Sequence, residues 1–238
     1  MILKTWEELP SYMKNNEVKK YYEILEKRKI SLLLKRVFDF SLALFGLIIS
    51  SPILLVLMIA IKVDSKGPVF FRQVRVTQYG KEFRIYKFRT MIVNAEQIGT
   101  QITVGDDPRI TRMGILIRKC RLDELPQLIN VLKGEMSFVG TRPEVPRYVA
   151  TDTQEMLATL LLPAGITSKA SIEFKDENKL LKGVDNVDTT YINSVLPLKM
   201  KYNTEYIEKF DFFYDCSIIF ETIVEVLGKT LLRFDRRG

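Results

Sequence analysis

The stretch from Ile115 to Arg147 reads ILIRKCRLDELPQLINVLKGEMSFVGTRPEVPR, and the rest of the chain is organised around it. Leu125, Leu128, Ile129 and Leu132 recur at helical spacing, Pro126 stands early where a missing amide is tolerated, and Gly134 follows the last apolar residue as a stop signal. The spacing predicts a short amphipathic helix with Asp123 at its N-terminus. Taken alone, Asp123 reads as an N-cap, its carboxylate accepting a hydrogen bond from an orphan amide. Its company exceeds what a cap requires: Glu124 is adjacent, and Arg118, Lys119, Arg121 and Arg142 bring cations to the same stretch. Paired carboxylates among guanidinium groups suit a phosphorylated substrate.

At 238 residues the chain can bury a real core in one domain with appendages, and it holds no internal repeat or low-complexity segment. The formal charge of +7 favours an acidic partner, whether nucleic acid, anionic lipid or phosphorylated metabolite, and no nucleic-acid-binding motif accompanies it. Cys120 and Cys216 are too few for a disulfide framework and lack metal spacing, which points to a reducing compartment. Histidine is absent. That excludes Ser-His-Asp and Cys-His mechanisms and His-ligated zinc within this chain, leaving carboxylates, Lys, Arg, Tyr and Cys for chemistry.

Residues 1–34 are polar and Lys-rich, with Tyr21, Tyr22, Ile24 and Leu25 as scattered apolar positions. They read as a helical extension lying on a membrane surface or packing on the rest of the chain. Val37 to Ile61 is the strongly apolar stretch, interrupted by Asp39, Ser41, Ser50, Ser51 and Pro52. As a helix it would be about 37 Å long, enough to cross a hydrocarbon core of about 30 Å. Pro52 argues against a straight span, because it removes a donor and clashes with the Ile48 carbonyl at a cost of about 3 kcal/mol. Ser50 and Ser51 could satisfy the carbonyls so freed. Basic residues flank the stretch on both sides, Lys35 and Arg36 before it and Lys62 and Lys66 after it, which suits a hairpin entering and leaving by the same face. Asp39 is expected to pair with Lys35 and Arg36 one turn earlier, at the head-group level.

Beyond Gly67 and Pro68 the pattern turns strand-like. Val69 to Val76 and Glu82 to Met91 read as a hairpin, with Lys87 and Arg89 on one face and Tyr86 and Phe88 on the other. Asp106 and Asp107 could be metal ligands, but Pro108 and the apolar pattern through Ile110, Met113 and Ile117 predict a helix capped by Asp107. A further helix is expected from Ala150 to Leu160, then a loop from Pro163 to Thr167. Near the end, Phe212, Phe213, Cys216, Ile219, Ile223 and Val226 predict an amphipathic helix with that face inward.

The run Arg118 to Glu144, with Lys87, Phe88, Arg89, Thr90 and Met91 upstream and Ser51 and Pro52 further up, resembles the bacterial sugar transferases known as monotopic phosphoglycosyl transferases. The similarity covers roughly Lys35 to Leu227. It implies an α+β monotopic membrane protein, with a re-entrant Ser-Pro-kinked helix hairpin, a small β-hairpin and amphipathic helices around an active site at the membrane face. The divisions expected are an extension over 1–34, a re-entrant helix over 35–62 and a cytoplasmic transferase domain over 63–238. The implied reaction moves a phosphosugar from a UDP-sugar onto polyprenyl phosphate at the cytoplasmic face of the inner membrane, with Mg²⁺ as cofactor and UMP as product. Membrane lipid and a second copy in a homodimer are the further partners expected, and no nucleic acid.

Residue by residue, the resemblance makes Asp123 a nucleophile forming an acyl phosphate and Glu124 a magnesium ligand. Arg118 and Arg142 would hold phosphate oxygens, Lys87 and Arg89 would add phosphate contacts, and Pro143 belongs to the same binding motif. Asp215 matches an acidic position near the metal. The chain departs from the family in two places. Thr141 stands where proline is common, and Ser168, Lys169, Ala170, Ser171 and Ile172 replace the Gly-Trp and Asn-Gly-Arg elements implicated in nucleotide contact, so base recognition does not carry over. Two other readings remain open: a metal-dependent glycosyltransferase using Asp106 and Asp107, releasing nucleoside diphosphate, and a non-catalytic lipid-binding adaptor.

Overall fold

Two helices open the chain, of which this computed structural model describes residues 3–95, 107–175, 180, 184 and 186–235. Helix α1 (Asn16–Glu26) starts where the Asn15 side chain accepts from the Val18 amide at 2.9 Å, and it buries Val18, Tyr21, Tyr22 and Leu25. These pack with Val76, Tyr79, Leu161, Tyr206 and Phe210, so the N-terminal extension rests on the rest of the protein through its apolar side.

Helix α2 (Lys29–Asp64) runs 36 residues with Pro52 inside it, about 54 Å at 1.5 Å per residue. Ser51 Oγ donates to the Ile48 carbonyl at 2.8 Å, replacing the bond that Pro52 cannot make. Phe45, Ile48, Ile49 and Val56 stand exposed, and by length and composition the helix could cross a membrane. Its polar face is not at a head-group level. The expected pairing of Asp39 with Lys35 and Arg36 does not form, because each group satisfies a different internal partner. Asp39 accepts from Ser137 Oγ at 2.7 Å and the Phe138 amide at 3.1 Å. Lys35 donates to Asp215 at 2.6 Å and the Val139 carbonyl at 2.7 Å, while Arg36 donates to the carbonyls of Val131 and Leu132.

Strands β1 (Phe70–Val76) and β2 (Glu82–Phe88) form the antiparallel hairpin, with Phe70 opposite Phe88 and Val76 opposite Glu82. Helix α3 (Arg112–Lys119) begins later than expected. Thr111 is its cap, accepting from the Gly114 amide at 3.0 Å, whereas Asp107 accepts from the amide and guanidinium of Arg109 and closes its own turn. Asp106 lies outside the described residues. A 3₁₀ turn over Leu122–Glu124 leads into helix α4 (Gln127–Lys133), which Gly134 terminates at φ 78° as its position predicts.

The segments expected as a loop and a helix are built differently. Strand β3 (Met136–Val139) pairs in parallel with β4 (Ala164–Thr167), Val139 opposite Thr167. The strands approach so closely that a Cβ on Gly165 would lie 2.2 Å from the Gly140 nitrogen. Between them, helix α5 (Pro146–Val149) stops short and a separate 3₁₀ turn spans Met156–Leu161. Hydroxyls cause the break: Thr151 Oγ1 donates back to the Tyr148 carbonyl, and Thr153 Oγ1 accepts from the Met156 amide to start the new turn.

Helices α6 (Lys169–Glu173), α7 (Val187–Thr190), α8 (Leu196–Lys209) and α9 (Phe212–Asp235) complete the fold. Helix α9 is rotated from its expected orientation. Asp215 and Ile218 face inward, Phe213 is 80% exposed and Ile223 is also exposed, because Lys35 and Tyr206 draw the Asp215 carboxylate into the interior. The Val226 side chain lies outside the described residues. The architecture is α+β, mostly helical, with two small two-stranded sheets.

Candidate active site

Three elements converge on Glu124. Lys87 arrives from β2, and Arg142 arrives from the loop after β3. Lys87 Nζ and Arg142 Nη2 each lie 2.9 Å from the same Glu124 oxygen, Oε1. Burial alone would raise the Glu124 carboxyl, but these two cations outweigh it and hold the group well below the usual carboxylate range. The Lys87 ammonium is itself pushed down by burial, against the pull of Glu124.

Asp123 shares the 3₁₀ turn. Burial and the Glu124 charge push its carboxyl up, opposed by Lys87, by its own backbone amide and by Arg118. Asp123 lies inside the 3₁₀ turn, which runs on through the helical backbone of Leu125 and Pro126 into α4, so the carboxylate stands at the start of this continuous helical stretch. Arg118, in the last turn of α3, donates through Nε to Thr90 Oγ1 at 2.8 Å. Arg121, between Arg118 and the carboxylates, holds φ 57°, a left-handed backbone that an arginine adopts only at a cost.

A cleft of about 580 Å³ opens beside this cluster. Its lining includes the cations Arg118, Lys119, Arg121 and Arg142 together with Glu124. Leu125, Leu128, Phe138 and Ile166 add apolar surface to it. Of the carboxylate pair, Glu124 lines the cleft, and Asp123 lies beside it at partial exposure. Cations and apolar side chains on one cleft suit an amphiphile with an anionic head.

Lys87, Arg118, Asp123, Glu124 and Arg142 are therefore brought together; three other expected site residues are not. Arg89 donates to the Ser65 and Lys66 carbonyls at 2.6 and 2.9 Å, tying down the turn that ends α2. The strand ends at Phe88, so alternation no longer governs where Arg89 points. Pro143 is buried, and its carbonyl accepts from Arg75 Nη1 at 3.1 Å, fixing the loop that carries Arg142. Asp215 is held at 2.6 Å by both Lys35 and Tyr206, so the cation beside it is a lysine. Among the described residues, no three acidic, His or Cys side chains gather as a metal nest. Glu124, kept anionic at the cleft wall, is an oxygen donor of the kind that Mg²⁺ takes. No motif marks the groups behind the Arg142 loop: Tyr191 donates to Glu144 at 2.5 Å, and Lys199 donates to Tyr191 at 2.9 Å. They lie some fifty residues away along the chain in helices with no motif.

A family model described as "Bacterial sugar transferase" matches residues 30–229. The chain is 37% identical over 197 residues to the UDP-N-acetylgalactosamine-undecaprenyl-phosphate N-acetylgalactosaminephosphotransferase of Aeromonas hydrophila, covering 82% of this chain and 44% of that protein. It is 46% identical over 125 residues to the putative undecaprenyl-phosphate N-acetylgalactosaminyl 1-phosphate transferase of Bacillus subtilis (strain 168), covering 52% and 70%. It is 35% identical over 199 residues to the UDP-glucose:undecaprenyl-phosphate glucose-1-phosphate transferase of Escherichia coli (strain K12), covering 82% and 40%. The chain thus spans less than half the length of the Aeromonas and Escherichia relatives.

Proposed function

Because the chain belongs to the bacterial sugar transferase family, we propose that it moves a sugar 1-phosphate from a UDP-sugar onto polyprenyl phosphate. The observation that carries this reading is the Lys87–Glu124–Arg142 cluster beside Asp123, on a cleft lined by both cations and apolar side chains. Two relatives are named for transfer from UDP-sugars to undecaprenyl phosphate, which is the same chemistry.

An Asp123 carboxylate oxygen attacks the phosphorus that bears the sugar, and the bond to the bridging oxygen breaks, releasing UMP and leaving an aspartyl phosphosugar. A polyprenyl phosphate oxygen then attacks the same phosphorus, and the carboxylate departs with its electrons restored. Arg118 and Arg142 hold phosphate oxygens through bidentate donors, and Lys87 keeps Glu124 anionic and in place. When bound, Mg²⁺ would neutralise diphosphate charge, with Glu124 as its protein ligand. Although α2 runs through Pro52 without a break, its exposed apolar side chains, the proline within it and the basic residues at both of its ends support a re-entrant segment that enters from the cytoplasmic face of the membrane.

The test is incubation of the full chain with UDP-sugar alone, followed by intact mass and peptide mapping. An adduct of one phosphosugar on Asp123, with UMP released before acceptor is added, is the expected result, and Asp123→Asn should abolish both. Glu124 is the carboxylate that lines the cleft, so an adduct mapped only to Glu124 would reverse the two roles. Release of nucleoside diphosphate would instead favour direct glycosyl transfer.

A further inference from the structure

The cleft is also lined by residues of β4, α6 and α9, and the hydroxyls among them, on Thr167, Ser171 and Thr222, are not used above. Thr167 closes β4, and its Oγ1 lies 2.8 Å from Thr222 Oγ1 on α9. Thr222 Oγ1 also lies 2.8 Å from the Ile218 carbonyl oxygen, which can only accept. The Thr222 proton is committed there, so in the pair of hydroxyls Thr167 is the donor. Its proton is spent as well, and lone pairs of Thr167 Oγ1 remain as acceptors on a half-buried side chain lining the cleft. Ser171 adds a second hydroxyl to this wall. Two ion pairs, Lys169 to Glu221 at 2.7 Å and Lys175 to Glu225 at 2.9 Å, join the α6 region to α9 on either side of Thr222. The acceptor is therefore held in place, between charges that neutralise one another.

Fixed neutral acceptors do not suit phosphate, whose oxygens are acceptors too; they suit hydroxyl and amide N–H donors. We propose that this wall is the subsite that selects the sugar, with Thr167 Oγ1 accepting a hydrogen bond from a ring hydroxyl or an acetamido N–H of the hexose. The inference rests on the phosphosugar-transfer reading, which puts the sugar's phosphate against Asp123 with Arg118 and Arg142 on its oxygens. A site built around a hydrogen bond discriminates strongly against donors that cannot make it, because its buried partner is then left unpaired.

The test uses the full chain with undecaprenyl phosphate and two donors differing at C2 and C4, UDP-N-acetylgalactosamine and UDP-glucose. The readout is kcat/KM from UMP release, with UDP inhibition as a measure of nucleotide affinity. Thr167→Val keeps the shape and removes the acceptor. It should lower kcat/KM for the preferred donor about ten- to hundredfold, and change the ratio between donors by about tenfold or more. The UDP inhibition constant should stay within about twofold, and Thr167→Ser should retain the parent ratio. Thr222→Val releases the Thr167 proton, so it should also shift the ratio, and it serves if Thr167→Val does not fold. A uniform loss on both donors with either variant, or an inhibition constant that rises as much as kcat/KM falls, overturns the sugar-selecting wall while phosphosugar transfer stands. A parent protein that releases no UMP from any donor refutes the transfer reading itself, and this one with it.

Discussion

Asp152 gives the sharpest quantitative expectation. It lines a cavity of about 20 Å³ behind the loop of Thr141, Arg142, Pro143 and Glu144, and both of its carboxylate oxygens are buried without a hydrogen-bond partner. Burial first, and the Glu144 charge second, push its carboxyl up to about 7. In the unfolded chain the ordinary value of 3.8 returns. Because the folded value is the higher one, the favourable contribution is fully present below about pH 4 and is lost as pH rises through about 7. At 1.36 kcal/mol per pH unit, the whole loss comes to about 4 kcal/mol, and about 2.5 kcal/mol of it falls between pH 5 and pH 8. Asp152→Asn carries no titrating group, so its stability relative to the parent should rise by that amount across the interval. For a chain of this size that is roughly 5–10 °C in Tm. Thermal unfolding of both proteins in the same detergent at pH 5, 6, 7 and 8 measures it. The amide brings its own desolvation cost, which is constant with pH, so the slope of the difference is the diagnostic. A difference in Tm that is flat from pH 5 to pH 8, or that turns against Asn at high pH, refutes the reasoning.

Lys35→Met leaves the Asp215 carboxylate uncompensated in the interior and should cost about 3–5 kcal/mol, while adding Asp215→Leu should recover most of it; a double variant no better than the single one would show that the pair is not coupled. Arg121→Gly removes the left-handed strain and should stabilise the fold by about 1 kcal/mol while lowering UMP release, since a cation leaves the cleft; equal stability in a thermal melt would remove the strain argument. Glu124→Gln deletes the neighbouring charge that raises Asp123, so the acid limb of kcat/KM should move to lower pH as the plateau falls; a limb that moves upward contradicts a nucleophile that must be ionised.

The local punctuation of the chain was legible because its causes are local. Pro126 and Gly134 bound α4 as their chemistry dictates, and the turn between Val76 and Glu82 closes the hairpin. Assembly of Lys87, Arg118, Asp123, Glu124 and Arg142 was visible only through motif resemblance, since their spacing along the chain carries no geometry. What the residues concealed was long-range. The parallel pairing of β3 with β4 depends on Gly140 and Gly165 letting two backbones touch, and a Pro-Ala-Gly run reads equally well as a loop. The rotation of α9 escaped periodicity for the same reason. Two buried partners of Asp215 outweigh the apolar stripe that would have turned Phe213 inward.

The charges on α2 show why such partners matter for the site. Read from sequence, Lys35, Arg36 and Asp39 form a cluster at a lipid surface, where each would contribute little. In the fold they grip the catalytic core at separate points: Asp39 holds Ser137 and Phe138, Lys35 holds Val139, and Arg36 holds the last carbonyls of α4. The residues just beyond Val139 are Gly140, Thr141 and Arg142, and α4 follows directly on the turn of Asp123 and Glu124. The apolar helix and the segments on both sides of the carboxylate–guanidinium cluster are thus joined by hydrogen bonds, those of Lys35 and of Asp39 to Ser137 being buried and costly to break.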